Sequence, residues 1–485
     1  MPDPSAHSLA SVPQRAPDAP PPDSGDERTA EDHMPHMADF VLSPDFVRAV
    51  VEALDATDDA EVRRLVAPLH VADVADLLEI IRPFERRALI RALGDALDPE
   101  VLSELDEDVR DDVLAVIEPV VLAEAVTALD NDDAVYLLED LEEERQQEIL
   151  AHVPDRERAA VELGLRYPDY TAGRLMQRDV IAVPESWAVG QLIDYARETE
   201  DLPYEFFEVF VVDPMHRPVG TVPLSRLLRQ KRDVALRDIL DEDAITVSAT
   251  MLQEEAAYLF QQYHLVSAPV VDDAGRLLGM LTVDDMIEVI QDEAEEDVRA
   301  LGGVGDEGLS DPVLRTMRQR FSWLFINLLT AVLASIVISV FEQSIEQVVA
   351  LAVLMPIVAS MGGNAGTQTL TVAVRALATR DLTPTNALRI VFREGLVGTL
   401  NGLTFAVIMG LVAVFWFQSP ILGVVVAVAM VVNLALAGLA GILIPLSLQR
   451  AGADPALAST VFVTTVTDVA GFFVFLGLAS IVLIG

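Results

Sequence analysis

The spacing of apolar side chains divides the chain into distinct patterns. From Phe321 onward, five stretches are apolar almost throughout: Phe321–Phe341, Val348–Leu377, Leu396–Phe417, Ile421–Leu448 and Ala458–Ile484. Each reaches the ~20 residues that a bilayer-spanning helix requires, so five spans are predicted. Across residues 38–167 the apolar positions recur at helical spacing, as at Val47, Val50, Val51 and Leu54, and at Val71, Val74, Ala75, Leu77 and Leu78. That period predicts short amphipathic helices. Asp98-Pro99, Glu118-Pro119 and Pro154-Asp155 separate them, and the acidic start Asp130–Asp133 suits the N-terminus of a helix over Ala134–Leu141. A superhelix of stacked helical hairpins is the natural architecture.

Residues 174–290, within a domain over 168–300, hold an internal repeat in which the apolar period switches between strand and helix. The first copy runs Leu175-Met176, Val180–Val183, a helix from Val189 to Arg197, the strand Val209–Asp213, then Pro218-Val219-Gly220 and a second helix. The second runs Ile239-Leu240, Ala244–Val247, a helix from Glu254 to Tyr263, the strand Ala268–Asp272, then Leu278–Thr282. Each unit reads β-α-β-β-α, with turns at Asp-Pro and Asp-Ala-Gly. The pair resembles tandem CBS domains, which implies a regulatory, ligand-sensing disc.

The second copy continues into a helix over Ile287–Ala300 that carries the acidic run Asp292–Asp297. Gly302, Gly303 and Gly305 break it. A linking helix, Leu309–Arg320 within residues 301–320, then leads into a membrane domain over 321–485. The expected fold class is a multidomain α-helical membrane protein. It comprises a cytosolic α-helical superhelix, an α/β CBS pair, a linking helix and a five-helix transmembrane bundle. Residues 1–37, rich in Pro, Asp and Ser, read as a disordered tail without a signal peptide.

Charge sharpens the division. The whole chain carries −44, yet Phe321–Gly485 has six acids against five arginines, so the acidity belongs to the soluble part. Such a field repels nucleic acid and favours cations. The absence of cysteine excludes disulfides and thiolate chemistry. Lys and Arg are missing from Glu342–Gln347 and Gln418–Pro420, but Arg375–Arg393, Arg450 and the flank before Phe321 are basic. The positive-inside rule then puts the soluble domains in the cytoplasm of a cell with the C-terminus outside its plasma or inner membrane.

One acid lies deep in an apolar stretch: Asp468, beside the hydroxyls of Thr464, Thr465 and Thr467. An ionised carboxylate there costs ~2.5 kcal/mol or more, so it faces a pore or a partner. No arginine within the spans can pair with it. The second span contains Pro356 and the run Ser360–Gln368, which includes Gly362, Gly363, Asn364, Gly366 and Thr367. That composition predicts a discontinuous helix whose freed carbonyls line a wet cavity. Close helix packing would explain the glycines but not the amides.

Pro356–Gln368, then Arg375–Asp381, and Asp454–Ser459 through to Asp468 resemble the pore segments of the MgtE family of magnesium channels. The domain order matches over residues 38–485. The resemblance implies a homodimer in a lipid bilayer with one central pore, in which Asp468 faces its twin and carbonyls near Ser360 and Thr464 lie beside it. Asn364, Thr367 and Thr465 join that set. It further implies that cytosolic Mg²⁺ closes the pore by bridging Asp285, Glu288, Glu293, Glu296 and Asp297, with Asp132 from the helical domain. Two departures stand out. The acidic motif beginning Asp132-Asp133 has Tyr136 where relatives carry a carboxylate, and Thr367 and Thr460 stand where some relatives carry asparagine.

Gly279, Thr282 and Asp285 have the spacing by which nucleotide-binding CBS domains hold a ribose. The matching stretch Gly220–Arg226 lacks the acid, so at most one adenine-nucleotide site, for ATP, is suggested per pair. Asp285 remains open to metal or nucleotide. A coupled transporter of Co²⁺, Mn²⁺ or Ca²⁺ is the alternative to a Mg²⁺ channel. An enzyme is disfavoured, because an aspartyl dyad needs two membrane carboxylates and no His-Glu-x-x-His occurs.

Overall fold

The computed structural model describes residues 41–199, 202–203, 206–241, 243–305 and 313–484. The disordered tail expected over residues 1–37 lies outside them. The chain divides into two units that meet at Val161 and Glu162.

The first unit is a run of short helices: α1 (Pro44–Asp55), α2 (Asp59–Val66), α3 (Val71–Ile80), α4 (Pro83–Leu93), α5 (Glu107–Leu114), α6 (Pro119–Ala128), α7 (Asn131–Glu139), α8 (Glu143–Leu150) and α9 (Asp155–Gly164). Proline opens α1, α4 and α6, where its missing N–H costs nothing. Buried leucines and valines from successive helices fill the core, among them Leu77, Leu78, Leu89, Leu114, Leu122, Leu137 and Leu138. Polar side chains tie helix ends to the turns that follow. Arg86 Nε donates to Leu78 O at 2.8 Å, and Gln146 Nε2 donates to Leu138 O at 2.8 Å from the same eight-residue separation.

The second unit begins with the two CBS-like repeats. β1 (Ala182–Pro184), α10 (Val189–Glu198), β2 (Glu208–Val212), β3 (Pro218–Pro223) and α11 (Leu224–Leu227) make the first. β4 (Val247–Ser248), α12 (Gln253–Tyr263), β5 (Ser267–Val271), β6 (Leu277–Thr282) and α13 (Val283–Gly302) make the second. Both sheets have the order expected for the repeat, with a parallel first pair and an antiparallel second pair. Both are irregular at the same place, between Val211 and Val212 and between Val270 and Val271. Asp213 and Asp272 close equivalent turns by accepting from the backbone N–H groups two and four residues on.

The membrane portion holds α14 (Val313–Val340), the short α15 (Glu342–Gln347), α16 (Ala350–Ala378), α17 (Ala387–Phe417), α18 (Pro420–Arg450) and α19 (Pro455–Ala479). Five helices among the described residues are long and apolar enough to cross a bilayer. The most enclosed is α18, with 56% of its apolar window buried, whereas α14 has 6% buried. Two expectations are corrected. Val313–Arg320 is not a separate linking helix but the first turns of α14, and residues 309–312 lie outside the described set. And α16 is continuous from Ala350 to Ala378, through Pro356 and the glycine run. Gly362 and Gly366 are explained by packing. A Cβ on Gly366 would sit 2.6 Å from Val463 Cγ1 on α19, and one on Gly441 of α18 would sit 2.7 Å from Gly366 O. Small residues let the three backbones touch, which compensates the helix for its poor formers.

Candidate ion pathway and cytosolic carboxylates

The polar residues of α16 occupy the side away from that seam. Val358, Gly362, Gly366 and Leu370 are buried, while Ser360, Asn364, Thr367, Gln368 and Thr371 are exposed. Ser360, Asn364, Thr367 and Thr371 recur at steps of four, three and four, which keeps them on one face. A Cβ on Gly363, beside them, would meet nothing within 4 Å. The lane is therefore open on this face, and the amides that packing could not explain lie along it.

On the adjoining α19, Thr460, Thr464 and Asp468 repeat every four residues and are partly exposed. Their neighbours are spoken for. Thr464 Oγ1 donates to Thr460 O at 2.9 Å, Thr465 Oγ1 to Val461 O at 2.6 Å, and the fully buried Thr467 to Thr464 O at 3.0 Å. Each hydroxyl has spent its proton on its own helix, and the partly exposed Thr464 and Thr465 keep lone pairs to offer a cation or its water. Asp468 has no hydrogen-bond or ion-pair partner among the described residues, so the arginine-paired alternative does not apply here. Sequence reasoning put Ser360, Asn364, Thr367, Thr464 and Asp468 at the site, and all lie on exposed or partly exposed faces of two packed helices.

The cytosolic acids fall on one helix but not in one cluster. Asp285 sits in the first turn of α13, and Asp297 is three turns further on, ~18 Å along the axis. No group of three acids among the described residues is close enough to hold a metal within a single chain. Asp285 is partly buried and accepts a short hydrogen bond from Thr282 Oγ1. Burial, opposed by that bond and aided by Asp284 and Glu288, pushes its carboxyl up to about 7. Glu293 accepts from Gln253 Nε2 at 3.2 Å, and burial raises it, with Glu254, Glu296 and Asp297 adding to the rise. Asp297 is pushed up to about 6 by burial, then by Asp454, Glu254 and Glu296. Glu288 and Glu296 are exposed. Asp132 lies in the other unit, buried at the first turn of α7.

Gly279 has a structural reason to be glycine, because a Cβ would sit 2.3 Å from Gln177 O, as one on Gly220 would sit 2.4 Å from Asp241 O. Thr282 and Asp285 face each other, and in the first repeat Arg226 takes the acid's place and donates to Ile239 O at 3.0 Å. Tyr136, the departure in the helical domain, has its own role. Its ring lies 3.9 Å below the guanidinium of Arg110, which is buried and paired with Asp140.

Three features escaped the sequence. The C-terminal turn of α13 docks directly on the membrane helices: Ala300 and Leu301 pack with Leu370 and Val374 of α16 and with Ala456 and Val463 of α19. Thr460 Oγ1 donates to Leu301 O at 3.1 Å. Gly303, at φ +68°, then turns the chain so closely past Trp323 that no Cβ fits. A second contact joins α12 to the turn after α16, where Arg380 lies 4.3 Å over the Tyr258 ring and 3.7 Å from Glu255. The third is Asn433 of α18, fully buried, with Nδ2 donating to Val358 O at 2.8 Å. Contacts of this kind join positions up to 159 residues apart, and no local pattern announces them.

Five apolar helices behind a CBS pair, with hydroxyls, amides and one carboxylate aligned on two of them, define a multi-pass membrane protein built to handle a hard cation. The comparisons with known proteins make this specific. The divalent cation transporter family matches residues 355–478, the MgtE intracellular N domain residues 69–170, and the CBS domain residues 236–292. The magnesium transporter MgtE of Thermus thermophilus is 33% identical over 448 residues, covering 89% of this chain and 97% of the relative. That of Bacillus subtilis is 29% identical over 444 residues, covering 87% and 98%. A crystal structure of the cytosolic domain of the Mg²⁺ channel MgtE with ATP is 28% identical, with a TM-score of 0.47, covering 50% of this chain and 99% of that one. The chain belongs to the MgtE family of magnesium transporters, and its N-terminal domains lie in the cytosol.

Proposed function

We propose that the protein is a Mg²⁺ channel, formed by two copies that share one pore and closed by cytosolic Mg²⁺. The observation that carries the pore is the polar lane of α16 and α19 around Asp468. Exposed serine, amide, threonine and carboxylate groups at membrane depth cannot face lipid without a cost of ~2.5–3.5 kcal/mol for the charge alone. A second copy bringing its own lane against the first encloses them and pairs the two Asp468 carboxylates around the axis. Mg²⁺ is small, prefers octahedral oxygen and sheds water reluctantly. Carboxylates, hydroxyls and amide oxygens hold a hydrated ion firmly enough to select it and weakly enough to release it. An odd number of spans behind cytosolic domains supports a C-terminus on the outer side.

Closure rests on the route from carboxylates to pore. Asp285, Glu288, Glu293, Glu296 and Asp297 share α13, and Asp297 stands beside Asp454 at the cytosolic end of α19. Without Mg²⁺ the like charges repel. With it, bridging ions relieve that repulsion, and α13 carries the change to α16 and α19. Bridging ions bind the closed arrangement better, which is what shifts the equilibrium. The Thr282–Asp285 pair is a candidate ribose contact for ATP and would compete with metal for the same carboxylate.

The test is Mg²⁺ uptake by proteoliposomes, with stepped Mg²⁺ on the cytosolic side. Uptake that needs a proton or sodium gradient would instead favour the coupled carrier of divalent cations.

A further inference from the structure

Asn433 lies in the middle of α18, an almost wholly apolar helix, and is completely buried. Its environment is specific. Nδ2 donates to Val358 O of α16 at 2.8 Å, and since a carbonyl needs a donor, this bond fixes which end of the amide is nitrogen. The amide sits in a notch made by two glycines on different helices. A Cβ on Gly362 of α16 would lie 2.3 Å from Nδ2, and one on Gly471 of α19 would lie 2.9 Å from it. Oδ1 is buried and has no hydrogen-bond partner among the described residues. A leucine has the same branched heavy-atom outline, though with bulkier ends, and would strand no acceptor. Packing alone therefore gives no reason for an amide, and the donor to Val358 does.

The two helices that Asn433 touches are the two that carry the polar lane. Val358 precedes Ser360 by two residues, and Gly362 precedes Asn364 by two. Two residues turn a helix by about 200°, so the amide grips α16 on the side directly behind its lane groups. Gly471 follows Asp468 by three residues, within one turn. Resting on the channel reading above, we propose that Asn433 is a positioning residue for ion passage. From outside the lane it locks α16 to α19 and so sets the spacing between the Ser360–Asn364 oxygens and the Asp468 carboxylate. Ligand spacing is what separates Mg²⁺ from a larger divalent ion such as Ca²⁺.

The experiment is single-channel recording of the full-length protein, with Asn433→Leu, Asn433→Asp and wild type compared in Mg²⁺ and in Ca²⁺. Asn433→Leu keeps the branched heavy-atom outline, with bulkier ends, and removes the donor. We expect its Mg²⁺ conductance to fall by about tenfold and its preference for Mg²⁺ over Ca²⁺ to shrink, as small displacements of coordinating groups do in other sites. Asn433→Asp, whose buried carboxyl stays protonated and donates through O–H, should remain close to wild type. A merely structural role would change yield and melting temperature and leave unitary conductance and ion preference alone. An Asn433→Leu channel with wild-type conductance and preference overturns the proposal. Gly471→Ala presses on the same amide from α19 and should reproduce the loss of preference. If neither variant assembles, Asn433 is a folding residue and the proposal falls. Should the wild type itself carry no Mg²⁺ current, it is the channel reading that fails, not the role of the amide.

Discussion

The membrane lane and the acidic helix both use carboxylates, and they use them in opposite ways. The lane has one, Asp468, with no partner among the described residues and with hydroxyls already committed around it. On α13 there are many, spread over more than three turns and exposed or partly buried, with Asp285, Glu293 and Asp297 raised by burial first and by neighbouring acids second. A single group at a fixed place can define a site for an ion in transit. A series of groups along a rod cannot, but it can respond in a graded way to how many ions are bound. Conduction should therefore be fragile to one substitution and regulation robust to one.

The sharpest way to break that contrast is Asp468→Ala. Mg²⁺ uptake should drop to background while the protein still assembles in the membrane, as judged by gel filtration. Near-normal uptake by a well-assembled variant would remove Asp468 from the pore.

Next in size is neutralisation of Asp285, Glu288, Glu293, Glu296 and Asp297 together, to Asn or Gln. Conduction should survive and closure by cytosolic Mg²⁺ should disappear, because repulsion and bridging ligands are lost at once. A channel shut at every Mg²⁺ level would mean that repulsion alone had held it open. Inhibition retained at the wild-type concentration would make these acids a solvated face.

A smaller effect follows from pH. Asp285 and Asp297 sit at about 7 and about 6 in the folded protein, above the ordinary value of 3.8. A raised acid contributes stability that is full below its unfolded value and is lost as pH rises through the folded one. Without Mg²⁺, acidifying the full-length protein from about pH 8 to about pH 5.5 should raise its melting temperature. The rise should flatten in the double variant Asp285→Asn, Asp297→Asn, and an unchanged slope there would assign it elsewhere.

The smallest is Arg380→Ala. Its stacking on Tyr258 and its approach to Glu255 are exposed contacts worth ~0.5–1 kcal/mol, so the Mg²⁺ level giving half closure should rise by about two- to fivefold. The charge swap Glu255→Arg with Arg380→Glu should restore part of the shift.

Much of this contrast was legible in the sequence. Apolar length and flanking arginines give the five spans, and the duplicated Val-Val-Asp strands give the repeat. Asp468 announced itself, because one acid among valines and threonines has few other reasons to be there. The glycine run was harder. Pro356 and the glycines disfavour a helix locally, and the expectation of a broken one followed. The seam with Val463, Thr467 and Gly441 overrides that preference, and those partners are far away in the sequence. Asn433 gave no local signal at all, since a lone amide in an apolar span looks the same whether it is idle or clamped. Tyr136 stands where relatives carry a carboxylate, and only the fold reveals the buried Arg110 guanidinium stacked over its ring.

The unbroken course of α13 has a mechanical consequence. Twenty residues of helix make a strut of about 30 Å, rooted in the second CBS sheet and pinned at its far end by Thr460. A tilt of about 5° at the root sweeps the tip through about 2.6 Å, close to the ~2.8 Å diameter of a water molecule. On the channel reading, the domain is geared to the pore rather than wired to it. Motions too slight to rearrange a sheet are multiplied by leverage into a displacement on the scale of one hydration layer, and for an ion that travels with its water that is the scale on which passage is decided.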